Sequence, residues 1–230
     1  LRLAVLTPPG WGISRSLARW SRRLKIPLGG SQPIESAITV GDGSPDDIVC
    51  LVLCHKFDGR KVVGINKPQE GRGASSISAA LRLTEGVRVK NLMVVLDQEG
   101  DKLEEIFGRA ERKLHESGVK FEIGVEEGRV RTYNCIRAHR EFRTLVVVNG
   151  LDKPYSIHTI EDHLLEFSER VLGENVGDVL DASNKNPKEV WEKLKDKHEA
   201  VYSRLLEAED KDLEQIFPQH MRALGMLQER

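Results

Sequence analysis

Short apolar runs alternate along the chain with longer segments whose apolar residues recur every third or fourth position, the two periods of strand and helix. Leu1 to Thr7 predicts a strand, "PPGWG" a turn and Ile13 to Leu24 a helix, after which "IPLGGSQP" reads as linker. "AITV" predicts a short strand ending in "GDGS". Ser44 then stands as N-cap, Pro45 as first helical residue, and Asp46 and Asp47 in the first turn of a helix running to Lys56. "KVVGIN" is the next strand, and "KPQEGRGASS" a glycine-rich loop into the helix "SISAALRLTE". "NLMVVLD" leads to a helix from Asp101 to Ser117, closed by Gly118 in the left-handed position. "KFEIGVEEGRVRTYNCIRA" predicts a hairpin around "EEG", followed by the strand "RTLVVVN" and the helix "IEDHLLEFSERVLG". Amphipathic helices such as "KEVWEKLKDKHEAVYSRLLEAE" fill the remainder.

Strands alternating with long helices predict an α/β fold, a mostly parallel sheet flanked by helices, with a helical C-terminal region. Three parts are expected: a basic strand-helix extension over 1–35, an α/β core over 36–170 and a helical region over 171–230. In such sheets chemistry collects beyond the carboxyl ends of the strands, which selects the loops "TPPGWG", "GDGSPDD", "NKPQEGRG" and "DQEGD".

The apolar content of 39% suffices for a large core, and the net charge of −1 hides an uneven layout. Residues 1–34 carry Arg2, Arg15, Arg19, Arg22, Arg23 and Lys25 without an acid, leaving −7 on the remainder. Such a basic end suits a nucleic-acid contact or a solvated helix face, and an Arg- and Ser-rich start also resembles an organellar transit segment. No apolar run is long enough to cross a membrane, so an intracellular, cytoplasmic chain is expected. Cys50, Cys54, Cys135 and His139 could supply zinc ligands, against the simpler expectation that buried cysteines pack.

The sharpest chemistry is the acidic knot Asp97, Glu99 and Asp101 at a strand end. If the chain stays extended, alternate residues point one way, and three carboxylates so placed need a hard cation such as Mg²⁺ or Mn²⁺. The competing reading is that Asp101 or a neighbour caps the next helix. Asp42 lies in a second acidic loop, where a turn role is equally open. Lys67, Arg72 and the glycines around Arg72 precede a helix N-terminus, a setting that favours phosphate, although the Lys-Ser/Thr ending of a nucleotide-binding loop is missing. Glu161 and Asp162 read as first-turn acids.

A strand ending in an acidic turn, then helix, strand, glycine-containing turn, helix, and a strand ending in Asp-x-Glu-x-Asp resemble the Toprim domain of topoisomerases, primases and overcoming-lysogenization-defect nucleases. The nearest likeness, over about 36–170, is to small Toprim-like proteins of archaea and bacteria, which "VVVNGLDKPYSIHTIEDHLLEF" also resembles. The resemblance implies a Mg²⁺- or Mn²⁺-dependent phosphoryl-transfer protein acting on nucleic acid. Asp42, Asp97 and Glu99 would then be catalytic, with Asp101 joining them as metal ligand, and Lys67, Arg72, Arg19, Arg22 and Arg23 would bind phosphate. The family's first-strand glutamate is replaced here by Gly41, with Asp42 one residue on. Two further readings stay open: a degenerate Toprim-like module that binds nucleic acid or protein, and a nucleotide-binding α/β protein.

Overall fold

The computed structural model describes residues 1–30, 32–41, 44–57, 60–68, 73–86, 89–173, 176–177 and 184–228. In chain order the elements are β1 (Arg2–Val5), α1 (Gly12–Leu24), β2 (Ser36–Val40), α2 (Asp46–Lys56), β3 (Val62–Asn66), α3 (Ser76–Gly86), β4 (Asn91–Asp97) and α4 (Leu103–Glu116). They continue with β5 (Lys120–Glu127), β6 (Val130–Arg137), β7 (Arg140–Asn149), α5 (Ile160–Leu172), α6 (Pro187–Lys193), α7 (His198–Glu207), α8 (Asp210–Ile216) and α9 (Pro218–Gln228).

The seven strands form one sheet in the order β1-β3-β2-β4-β7-β6-β5. The block from β1 to β7 is parallel, and β7, β6 and β5 form an antiparallel meander. Residues 1–35 therefore contribute an edge strand to the sheet, with Arg2 to Val5 in register with Val62 to Ile65.

Both faces of the parallel block are covered, which explains its nearly continuous apolar strands. Period-two alternation divides them between two cores. Ile38, Val40, Met93, Val95, Leu145 and Val147 face one cluster, shared with α1, α2, α5 and the C-terminal helices. Leu92, Val94, Leu96, Val146 and Val148 face the other, under α3 and α4. The first cluster runs from Leu1 to Leu227, so the C-terminal helices pack on the same core as the N-terminal strand.

Helix patterns follow from position. In α1, Ile13, Leu17, Trp20 and Leu24 form one buried stripe, whereas α2 is apolar almost all round because it lies between the sheet and other helices. Helix α2 begins at Asp46 with Pro45 at the N-cap, so Ser44 does not cap it and Pro45 is not its first turn. Gly118 and Gly173 take the left-handed conformation where α4 and α5 end. Cys50 and Cys54 lie in the first core and Cys135 in the second, across the sheet, which rules out the Cys-His zinc set. Burial pushes the Cys54 thiol up to about 12, the behaviour of packed cysteine.

Candidate functional site

The chain passes from β2 to β3 on one side and returns through α3 to β4 on the other. Loops leaving β2 and β4 therefore diverge, and a crevice opens beyond their carboxyl ends. A cleft of about 900 Å³ occupies this place. Asp46, Asp97, Glu99, Asp101, Glu161 and Glu116 supply its acids, and Lys67, Arg109, Arg112, Lys113 and Lys188 its cations.

Asp97 ends β4 and is in register with Asn149, which ends β7. The Asn149 amide nitrogen donates to Asp97 Oδ1 at 2.8 Å and to Asp46 Oδ1 at 2.7 Å. Two acceptors of one NH₂ group stand about 5 Å apart, so a buried amide sets the spacing of the two carboxylates. Burial, with the charge of Asp97 beside it, pushes Asp46 well above the ordinary carboxylate range, while the Asn149 hydrogen bond opposes the shift. Glu161, in the first turn of α5, is pushed up to about 7, chiefly by burial and further by Asp97. Among the described residues its buried Oε2 has no hydrogen-bond partner. Lys188, on α6, reaches over the group, 3.2 Å from Asp97 and 3.6 Å from Glu99.

The knot does not stay extended. Glu99 adopts φ +54, a left-handed conformation uncommon for a residue with a side chain, and is pinned there by two backbone bonds to His158. Its N–H donates to the His158 carbonyl at 2.7 Å, and the His158 N–H returns one at 2.8 Å. Asp101 turns to Arg109, and Lys102 stands at the α4 N-cap without a side-chain bond, so neither the helix-cap reading nor the alternation of 97, 99 and 101 holds. All three acids still line the cleft, Asp97 with its side chain only 5% exposed and Glu99 nearer the rim at 58%.

Among the expected phosphate-binding residues, Lys67 follows β3 and lines the cleft. Asp42 and Arg72 lie outside the described residues. Arg19, Arg22 and Arg23 occupy the far half of α1, roughly 10–17 Å along its axis from the N-terminus that borders Ser44 and Lys67. Arg23 there pairs with Glu199, and it and Arg19 flank the Trp20 ring.

Sequence reasoning passed over Asp46, Glu161, Asn149 and Lys188. The first two read as helix-dipole acids, Asn149 as the end of a strand, and Lys188 as one of many lysines on an amphipathic helix. The signal that could have found Asn149 is its place at the carboxyl end of an apolar strand, the same criterion that selected Asp97.

Among the described residues, no three His, Cys, Asp or Glu side chains form a ready-made metal cage. The donors nevertheless fit a hard cation: all are oxygens, one of them is a buried orphan, and Mg²⁺ keeps several waters while using one or two carboxylates. No protein-family model, curated protein or solved structure matches the chain.

Proposed function

We propose that the chain is a Toprim-like, divalent-cation-dependent phosphoryl-transfer protein that acts on nucleic acid, using Mg²⁺ or Mn²⁺. The observation that carries this reading is the pairing of Asp46 and Asp97 through Asn149 at the sheet's switch point, in a cleft that Glu161, Arg109, Arg112 and Lys113 also line. Acids alone would repel a phosphodiester, and cations alone would only bind it. Their presence in one cleft suits a substrate whose charge must be both gripped and neutralised.

Asp97 and Asp46 would hold the cation, with Glu161 or Glu99 completing the set. When bound, the cation supplies charge neutralisation at the phosphate and a more acidic coordinated water. The chain's own residues then have separate tasks. Arg109, Arg112 and Lys113, three residues of one face of α4, would hold the phosphodiester backbone with Lys67. Gly73, Ala74 and Ser75, a 3-10 turn that leads into α3, line the same cleft. Glu161, protonated over part of the neutral range, is suited to hold or release a proton at its orphan oxygen.

The test is cleavage of end-labelled DNA and RNA oligonucleotides in Mg²⁺, Mn²⁺ and EDTA. Cation-dependent products are expected, and equal cleavage in EDTA would remove the reading. One observation favours the degenerate binding module instead: Lys188 already supplies a positive charge to Asp97 and Glu99. That alternative predicts oligonucleotide binding with no calorimetric uptake of Mn²⁺.

A further inference from the structure

Asn149 is oriented from behind. Its Oδ1 accepts a hydrogen bond from His220 Nε2 at 2.8 Å, on the side away from Asp46 and Asp97. Both residues are 1% exposed, so water offers neither an alternative partner. The Asn149 NH₂ faces both acids and its carbonyl oxygen faces α9, which gives the charge of Asp97 a donor. That oxygen can only accept, so His220 carries its proton on Nε2. Its buried Nδ1 has no hydrogen-bond partner among the described residues, and burial followed by neighbouring His163 keeps the ring neutral.

The same helix turn grips the strand end on either side of Asn149. Gln219 Nε2 donates to the carbonyls of Val148 and Gly150, each at 3.2 Å, and lies 3.0 Å from His163 Nε2. His163 also accepts the Gly150 N–H at 3.1 Å, and its Nδ1 bonds the Ile216 carbonyl just before α9. Backbone and side chain at the end of β7 are thus held by α5 and α9.

We infer that His220 is a positioning residue of the carboxylate site, acting through Asn149 to fix the separation of Asp46 and Asp97 before any ligand arrives. Without the His220 donor, the Asn149 amide could turn its oxygen toward the acids or swing away, and the spacing of Asp46 and Asp97 would no longer be held. The structural arm of this inference stands on geometry alone. Its consequence for cation binding rests on the function proposed above.

The test compares wild type with His220→Leu and His220→Gln, whose side-chain amide can replace the imidazole Nε2 donor. In cation-free protein the two side-chain amide protons of Asn149, followed by NMR, are expected to be shifted downfield and slow to exchange in wild type and His220→Gln. In His220→Leu they should move and exchange faster. With Mn²⁺ as probe, His220→Leu should bind roughly ten- to a hundredfold more weakly, the usual loss when a supporting hydrogen bond is removed, and His220→Gln should recover most of it. Folded His220→Leu with an unaltered Asn149 signal overturns the positioning role. Should His220→Leu fail to fold, His220→Gln decides: retained Asn149 signals and Mn²⁺ affinity support the role, and loss of either from a folded protein overturns it. Absence of Mn²⁺ uptake by wild type would count against the cation reading, while the amide signals still decide the positioning.

Discussion

Lys188 Nζ lies 3.2 Å from Asp97 Oδ2 and 3.6 Å from Glu99 Oε1, so a single ammonium spans both acids. A divalent cation held by Asp97 would compete with it for the same negative charge. Lys188→Gln should therefore tighten Mn²⁺ uptake severalfold in a calorimetric titration. In cation-free protein it should lower stability by about 1 kcal/mol, since the lysine is partly exposed and its attraction is screened. Weaker Mn²⁺ uptake by the variant would contradict competition.

Glu161 makes stability depend on pH in a defined direction. Its carboxyl is pushed from 4.5 up to about 7 in the fold. Between those values the folded protein keeps a proton that the unfolded chain has released. The stabilisation is therefore complete below about 4.5, declines as pH rises to about 7 and is level above. Buried His163, pushed down from 6.5 to about 4, acts in the opposite sense between those two values, where only the unfolded chain is protonated. Glu161→Gln separates the two effects. Measured by urea unfolding in EDTA, the variant should gain on wild type by about 2–3 kcal/mol between about pH 5 and about pH 8. A difference that stays constant over that range would refute the assignment.

Asn149 is a neutral donor between two acids, and Asn149→Asp would replace it with a third carboxylate. Stability at neutral pH should fall by about 3 kcal/mol, the scale of an uncompensated buried charge. Acid or Mn²⁺ should restore part of the loss in thermal unfolding. An equally stable variant that is insensitive to both would show that the site is wetter and looser than its hydrogen bonds indicate.

Cations on opposite sides of the molecule make different predictions for nucleic acid. Arg112 lines the cleft, whereas Arg22 lies on the far half of α1 and bonds the Ala18 carbonyl. Arg112→Ala should weaken oligonucleotide binding at all sequences and reduce the slope of affinity against salt by about 1. Arg22→Ala should change neither, as read by fluorescence anisotropy across a salt series. The reverse result would move the binding surface to α1.

Much of the fold was legible because burial on both faces leaves a direct trace: "NLMVVLD" and "RTLVVVN" are continuous apolar runs, and Ile13, Leu17, Trp20 and Leu24 keep helical spacing. The antiparallel pairing of β6 with β7 was not read, because their two-residue turn, Ala138 and His139 at φ 46 and 62, lacks the Asn-Gly or Asp-Gly pair that marks such hairpins. The site was half legible. Asp97 stands at a strand end, where position alone gives it away. Asp46 and Glu161 sit in first helical turns, where an acid serves the helix dipole equally well, and only the neighbouring strand ends reveal that both are buried in the cleft. The left-handed Glu99 was hidden for a related reason: its conformation is fixed by His158, far along the chain.

The most direct measurement is the cation-dependent cleavage rate of a labelled oligonucleotide by wild type, Asp97→Ala and Asp46→Asn, each confirmed folded. The expected result is cleavage in Mg²⁺ or Mn²⁺ by wild type and its loss in both variants. Undiminished cleavage by either variant, or none by wild type with either cation, would contradict a phosphoryl-transfer site built on these carboxylates.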